Sequence, residues 1–214
     1  MRGAPTRANR NVGSSGGVGM ILYLIIITVC AFGIAGVVAL TYTANFWLML
    51  GFTWIGVVLS IIIDGAVCGI VRALPQKIAQ HDKKIFTVSA KEKKFYEKLK
   101  IRKWKDKIPE IGHFTGFRKN KIADPKSVEY VERFLMEACY GEVGHFYSLF
   151  LGFLILLLFP IHQTWLAISI PVAIVNFLLN LPTIFVLRYN CYKLEVLLAS
   201  NFKKQERAKK AQAA

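Results

Sequence analysis

Four apolar runs fix the environment in which this chain folds. They cover roughly 19–40, 46–71, 146–161 and 164–187. Crossing about 30 Å of hydrocarbon takes about 20 apolar residues, with about 17 as the lower limit. The first two runs meet that length outright. The last two form a hairpin around Pro160-Ile-His-Gln-Thr164 and are tighter fits. Within lipid the backbone must satisfy its own hydrogen bonds, which favours helices. The expected fold is an all-α integral membrane protein. It has four transmembrane helices and a basic cytoplasmic helical segment between the second and third.

Charge orients these spans. The chain is 54% hydrophobic yet carries a net charge of +15, so the two kinds of residue must be segregated. Arg2, Arg7 and Arg10 precede the first run. The segment between runs two and three is dense in Lys and Arg, and Lys203, Lys204, Arg207, Lys209 and Lys210 follow the last run. Neither hairpin tip contains Lys or Arg. The positive-inside rule then places both termini and the middle segment in the cytoplasm of a multi-pass cell-membrane protein. The first run is too long for a cleavable signal peptide and reads as a signal anchor. Cys30, Cys68, Cys139 and Cys191 are scattered, without metal or disulfide spacing, and are expected to be free thiols.

The chain divides into a disordered tail (1–18), a transmembrane hairpin (19–72), a basic interfacial segment (73–134), a Glu/His helix with a second hairpin (135–190), and a basic tail (191–214). The tail contains a formal G-x-S-x-G, Gly13 to Gly17, but lacks the strand and helix that a nucleophile elbow requires. Between Lys94 and Pro109 basic residues alternate with aromatics. On one continuous helix Phe95, Tyr96 and Leu99 would face away from Ile101, Trp104 and Ile108, which predicts two short helices or a helix and a turn. This segment, with Trp104 and Lys105, reads either as a site for lipid phosphates or an anionic donor, or as a solvated positive-inside loop. Nucleic acid is not an expected partner, because no binding motif occurs and the charge has a membrane explanation.

The polar residues near or inside the apolar runs are the candidates for function. Asp124-Pro125 reads as the start of a helix, with Asp as N-cap and Pro at the first position. On that helix Val128, Val131, Phe134, Leu135 and Ala138 form an apolar stripe, and Glu142 and His145 fall within it. Three residues apart, those two side chains can touch. Ionisable groups at a membrane edge are functional suspects. Asp64, about two turns inside the second run, reads either as a bundle-facing polar residue or as a substrate-site carboxylate. Arg72 reads as a snorkelling anchor. Asn176 and Asn180 share a helix face, as an interhelical hydrogen-bonding pair or as a substrate lining. Arg188, before Tyr189 and Asn190, reads as a second snorkelling anchor or as a fork for a phosphate, carboxylate or glycosyl oxygen.

These residues bear a resemblance to a known family. The Phe95-Tyr96 to Trp104-Lys105 segment, the Glu137…Glu142-x-x-His145 helix and Asn180-x-Pro182…Arg188-Tyr189-Asn190 together resemble the glycosyl-4,4'-diaponeurosporenoate acyltransferases of staphyloxanthin-type carotenoid synthesis and their membrane relatives. The similarity runs from about Leu74 to Leu194. One departure is Cys191, where the family pattern continues with arginine. The resemblance implies a small membrane enzyme that moves a fatty acyl group onto a sugar hydroxyl of a lipid. No cofactor is tightly bound on this reading; acyl-CoA or another acyl donor is a co-substrate. A membrane lipid is the acceptor.

Hydroxyl acylation suits the candidate residues. His145 would act as general base and Glu142 would orient it. Arg188, Asn190, Asn180, Asn176, Asp64, Trp104, Lys105 and Glu137 are the expected substrate-binding set, and no metal is expected. Two other readings fit the same composition: a non-catalytic lipid-binding or assembly protein, and another lipid-modifying enzyme such as a methyltransferase. No Gly-rich nucleotide loop favours the latter.

Overall fold

The computed structural model describes residues 12–108 and 122–212, and these form an all-α structure. Helices α1 (Val12–Thr41) and α2 (Phe46–Ala73) make the first hairpin. Two short helices, α3 (Ala90–Lys98) and α4 (Ile101–Trp104), follow. Helix α5 (Val128–Leu151) continues into a 3-10 stretch, Gly152–Ile161, and α6 runs from Trp165 to Gln212. Four helical stretches are long and apolar enough to cross a membrane: Gly19–Thr41, Phe46–Ala73, Val128–Leu158 and Trp165–Gln212. The chain is thus a multi-pass membrane protein. Its outward faces agree, since Val29, Leu40, Trp47, Ile61 and Ile70 are all exposed, a surface that lipid tolerates and water does not.

Several boundaries differ from those expected. Arg2, Arg7 and Arg10 lie outside the described residues. The rest of the proposed tail, 12–18, is helical, so Gly13 to Gly17 sits inside α1. Helix α5 starts at Val128, capped by Ser127, whose Oγ accepts from the Tyr130 amide at 3.1 Å. Asp124 instead closes a turn, accepting from the Lys126 and Ser127 amides at 3.2 Å each. Glu142 and His145 lie within this helix, as expected. The expected boundary at residue 191 falls inside α6, which continues as a helix to Gln212. Its extension stays helical because Cys191, Leu194 and Leu198 pack against Val131, Leu135 and Ala138 of α5.

The break between α3 and α4 falls at Lys100, whose φ of 53° is left-handed. This turn lets Tyr96 and Ile101 enter one cluster with Val186 and Tyr189 of α6. At the opposite end of the bundle a second core joins Ala35 and Val38 to Met49, Ile155, Ile168 and Val172. Trp165 is fully buried nearby, and its indole donates to the Ile155 carbonyl at 2.8 Å. On α6, Asn176 and Asn180 lie between these two cores.

Candidate active site

Helices α2, α5 and α6 meet where their small residues allow close approach. A Cβ on Gly144 would lie 3.1 Å from Cys68 Sγ of α2, and one on Gly141 would lie 3.2 Å from Leu187 of α6. A Cβ on Gly152 would overlap the Asn176 amide nitrogen. Small residues at such contacts are the usual device for bringing helices together in membranes.

Within this junction a chain of four polar side chains runs from α2 through α6 to α5. Asp64 Oδ1 accepts from Asn176 Nδ2 at 3.2 Å, and its Oδ2 accepts from Asn180 Nδ2 at 3.0 Å. Asn180 Nδ2 also points at the Asn176 backbone carbonyl, 3.1 Å away, and at Asn176 Oδ1, 3.2 Å away. The other end of the Asn180 amide, Oδ1, sits 2.7 Å from His145 Nδ1. His145 Nε2 makes no hydrogen bond to any described residue. A half-buried carboxylate among apolar helices still needs hydrogen-bond donors, and two asparagines supply them here.

A second cluster lies further along α6. At 1.5 Å per residue Arg188 is about 12 Å beyond Asn180. Its guanidinium binds both carboxylate oxygens of Glu92 on α3, Glu142 Oε1 on α5, and the Ile85 carbonyl at 2.9 Å. Four of its five N–H groups are thus committed. Glu142 is buried, and its second oxygen has no hydrogen-bond partner among the described residues. Glu92 stands three residues after the α3 cap Ser89, whose Oγ accepts from the Glu92 amide at 3.1 Å. Its carboxylate also accepts from the Tyr96 hydroxyl. Burial pushes the Glu92 carboxyl up, but the bonds from Arg188 and Tyr96 outweigh it, so Glu92 sits below the usual carboxylate range. The Tyr96 phenol is pushed well up, first by burial and then by the Glu92 carboxylate that accepts its proton.

The structure redistributes the expected site. Glu142 and His145 share a face of α5, but no hydrogen bond or ion pair joins them. Arg188 draws Glu142 through a charge-assisted bond, and Asn180 holds the imidazole. Arg188 is not an open substrate fork, because protein acceptors already occupy most of it. Trp104 donates to the Leu99 carbonyl at 2.9 Å, bridging the α3–α4 turn. Lys105 opens a 3-10 turn and is half-buried. The Asn190 side chain is half-buried and makes no hydrogen bond to a described residue.

Glu137 lies on a different face of α5. It pairs with Arg72 at 2.8 Å, so Arg72 is an ion-pair partner and not simply a snorkelling anchor. Both line a polar cleft of about 820 Å³ that also takes in Gln80, Asp82 and Tyr140. Among the described residues no cluster of His, Cys, Asp or Glu is arranged to hold a metal ion. Glu92 and Tyr96 were not among the expected site residues. The Ser89-x-x-Glu92 pattern is a capping box visible in the sequence, but nothing in it points to Arg188, 96 positions away.

Comparison with protein families gives a match over residues 79–200 to the family described as glycosyl-4,4'-diaponeurosporenoate acyltransferase. Comparison with curated proteins and with solved structures gives no match. The matched region contains Glu92, Glu142, His145, Asn180 and Arg188; Asp64 lies before it.

Proposed function

Because the chain belongs to the glycosyl-4,4'-diaponeurosporenoate acyltransferase family, we propose that it moves a fatty acyl group onto a hydroxyl of a glycosylated or otherwise polar-headed membrane lipid. His145 is the catalytic base. The observation that carries this assignment is the state of its ring: Nδ1 is engaged at 2.7 Å by Asn180, and Nε2 is unpartnered. An imidazole held by one nitrogen and open at the other is arranged to take a proton.

Nε2 removes the proton from the acceptor hydroxyl as its oxygen attacks the carbonyl of an acyl thioester. The tetrahedral adduct collapses with cleavage of the carbon–sulfur bond, and the proton passes from His145 to the departing thiolate. An ester and a thiol result. Arg188, bonded to Glu92 and Glu142, ties α3 and α5 to α6 beside the site. The half-buried Asn190 amide is a polar group left for the acceptor headgroup. Both termini and the basic segment face the cytoplasm on this reading. The lysines and arginines of the segment between α2 and α5 attract an anionic donor such as acyl-CoA.

The test is a comparison of lipid extracts from a deletion strain and its complement by mass spectrometry. The expected result is loss of species one fatty acyl unit heavier than an accumulating polar lipid. Unchanged acylated lipids with no accumulating precursor would favour a non-catalytic lipid-binding protein instead. Purified protein given labelled acyl-CoA and membrane lipid extract then identifies donor and acceptor.

A further inference from the structure

Resting on His145 as the base, we propose that Asp64 is a positioning residue: acting through Asn180, it holds the imidazole in the tautomer that leaves Nε2 unprotonated. Asp64 does not contact the imidazole, and on this reading it does not bind substrate.

Donors and acceptors along the chain must alternate. An asparagine amide has one end that only accepts and one that only donates. One end of Asn180 faces three oxygens: Asp64 Oδ2 at 3.0 Å, the Asn176 backbone carbonyl at 3.1 Å and Asn176 Oδ1 at 3.2 Å. That end must be the NH2 group. The opposite end is therefore the carbonyl oxygen, and it lies 2.7 Å from His145 Nδ1. Nδ1 must then carry the hydrogen, and in the neutral ring Nε2 carries the lone pair. The surrounding acceptors decide which end of the amide is which.

Asp64 orients both amides at once, because its two oxygens take Nδ2 from both Asn176 and Asn180, while the Asn176 backbone carbonyl adds a second acceptor for Asn180 alone. With an amide in its place, one oxygen would become a donor and the two asparagines would have competing arrangements. Gly152 gives Asn176 the room to reach Asp64.

The decisive experiment is nitrogen-15 NMR of histidine-labelled full-length protein in detergent or nanodiscs. The chain has four histidines, so the spectrum of His145→Gln assigns the signal. Wild type is expected to show His145 protonated at Nδ1, and Asp64→Asn a mixture of both tautomers. In turnover assays Asp64→Asn should lower kcat about 10- to 100-fold with KM unchanged. A wild-type Nε2–H tautomer would overturn the proposal, as would an Nδ1–H signal unmoved in Asp64→Asn. A raised KM with kcat retained would make Asp64 a substrate ligand instead. The tautomer readout is independent of turnover. If it holds while His145→Gln keeps full activity, the positional claim survives and the assignment of His145 as base falls.

Discussion

At the residue scale, Glu142 and His145 show how two neighbours on one helix face come to serve different partners. Each is drawn by the group that complements it best: a guanidinium for the carboxylate, an amide oxygen for the ring. Their separation yields separable predictions. His145→Gln should lower the acylation rate by about 10²- to 10⁴-fold, the usual worth of a general base. The variant should remain monodisperse by size-exclusion chromatography, because Gln can still donate to Asn180. Arg188→Lys should act on stability first. Lysine keeps the charge but cannot bridge Glu92, Glu142 and the Ile85 carbonyl together. Disrupting a largely buried pair costs on the order of 2–3 kcal/mol, readable as a lower thermal midpoint in detergent. Arg188→Lys and Glu92→Gln should be strongly non-additive, because they break one network.

Element-scale behaviour follows from how α3 is fastened and how α5 approaches its neighbours. Helix α3 is tied to α6 by the Arg188 bonds to Glu92 and by the packing of Tyr96 against Phe185 and Tyr189. Glu92 has its pKa lowered on folding. Its contribution is therefore present above the unfolded carboxylate value of about 4.3 and is lost as pH falls through the lower folded value. Tyr96 has its pKa raised, so its contribution holds below about 10 and is lost as pH rises through the higher folded value. Hydrogen exchange should show residues 85–100 losing protection at pH below about 4, ahead of the spanning helices. Equal protection of α3 at pH 3 and pH 7 would refute this. Just past α5, Gly152→Ala forces the added methyl against Asn176. Overpacking of this kind costs about 1–3 kcal/mol, and the variant should lower both the thermal midpoint and kcat, since Asn176 is displaced from Asp64.

For the whole molecule, segregation of charge is the dominant fact. The two hairpin tips carry no Lys or Arg, while the segment after α2 and the end of α6 are dense in them. The prediction is that a cysteine placed at Lys103, in a background lacking native cysteines, resists labelling from outside intact cells. It should react only after permeabilisation. Labelling from outside would invert the topology and move the proposed base and donor surface to the other side of the membrane.

The helical, membrane-spanning character was determined by the sequence alone, since an uninterrupted apolar run in lipid has almost no alternative to a helix. The number of spans was equally legible, and the break in the basic segment showed in the opposed directions of Phe95 and Trp104. The match over residues 79–200 agrees with the resemblance drawn from Glu142, His145, Asn180 and Arg188. Partnership was what tertiary structure decided. Periodicity places residues on a face, but it does not rank the donors and acceptors that other helices bring to that face. The approach of α6 gave Glu142 to Arg188 and His145 to Asn180. The close contact of α2 with α5 at Gly144 brought in Asp64, 81 positions before the histidine. Hydrogen bonds between helices depend on three-dimensional proximity, which a one-dimensional spacing rule does not contain.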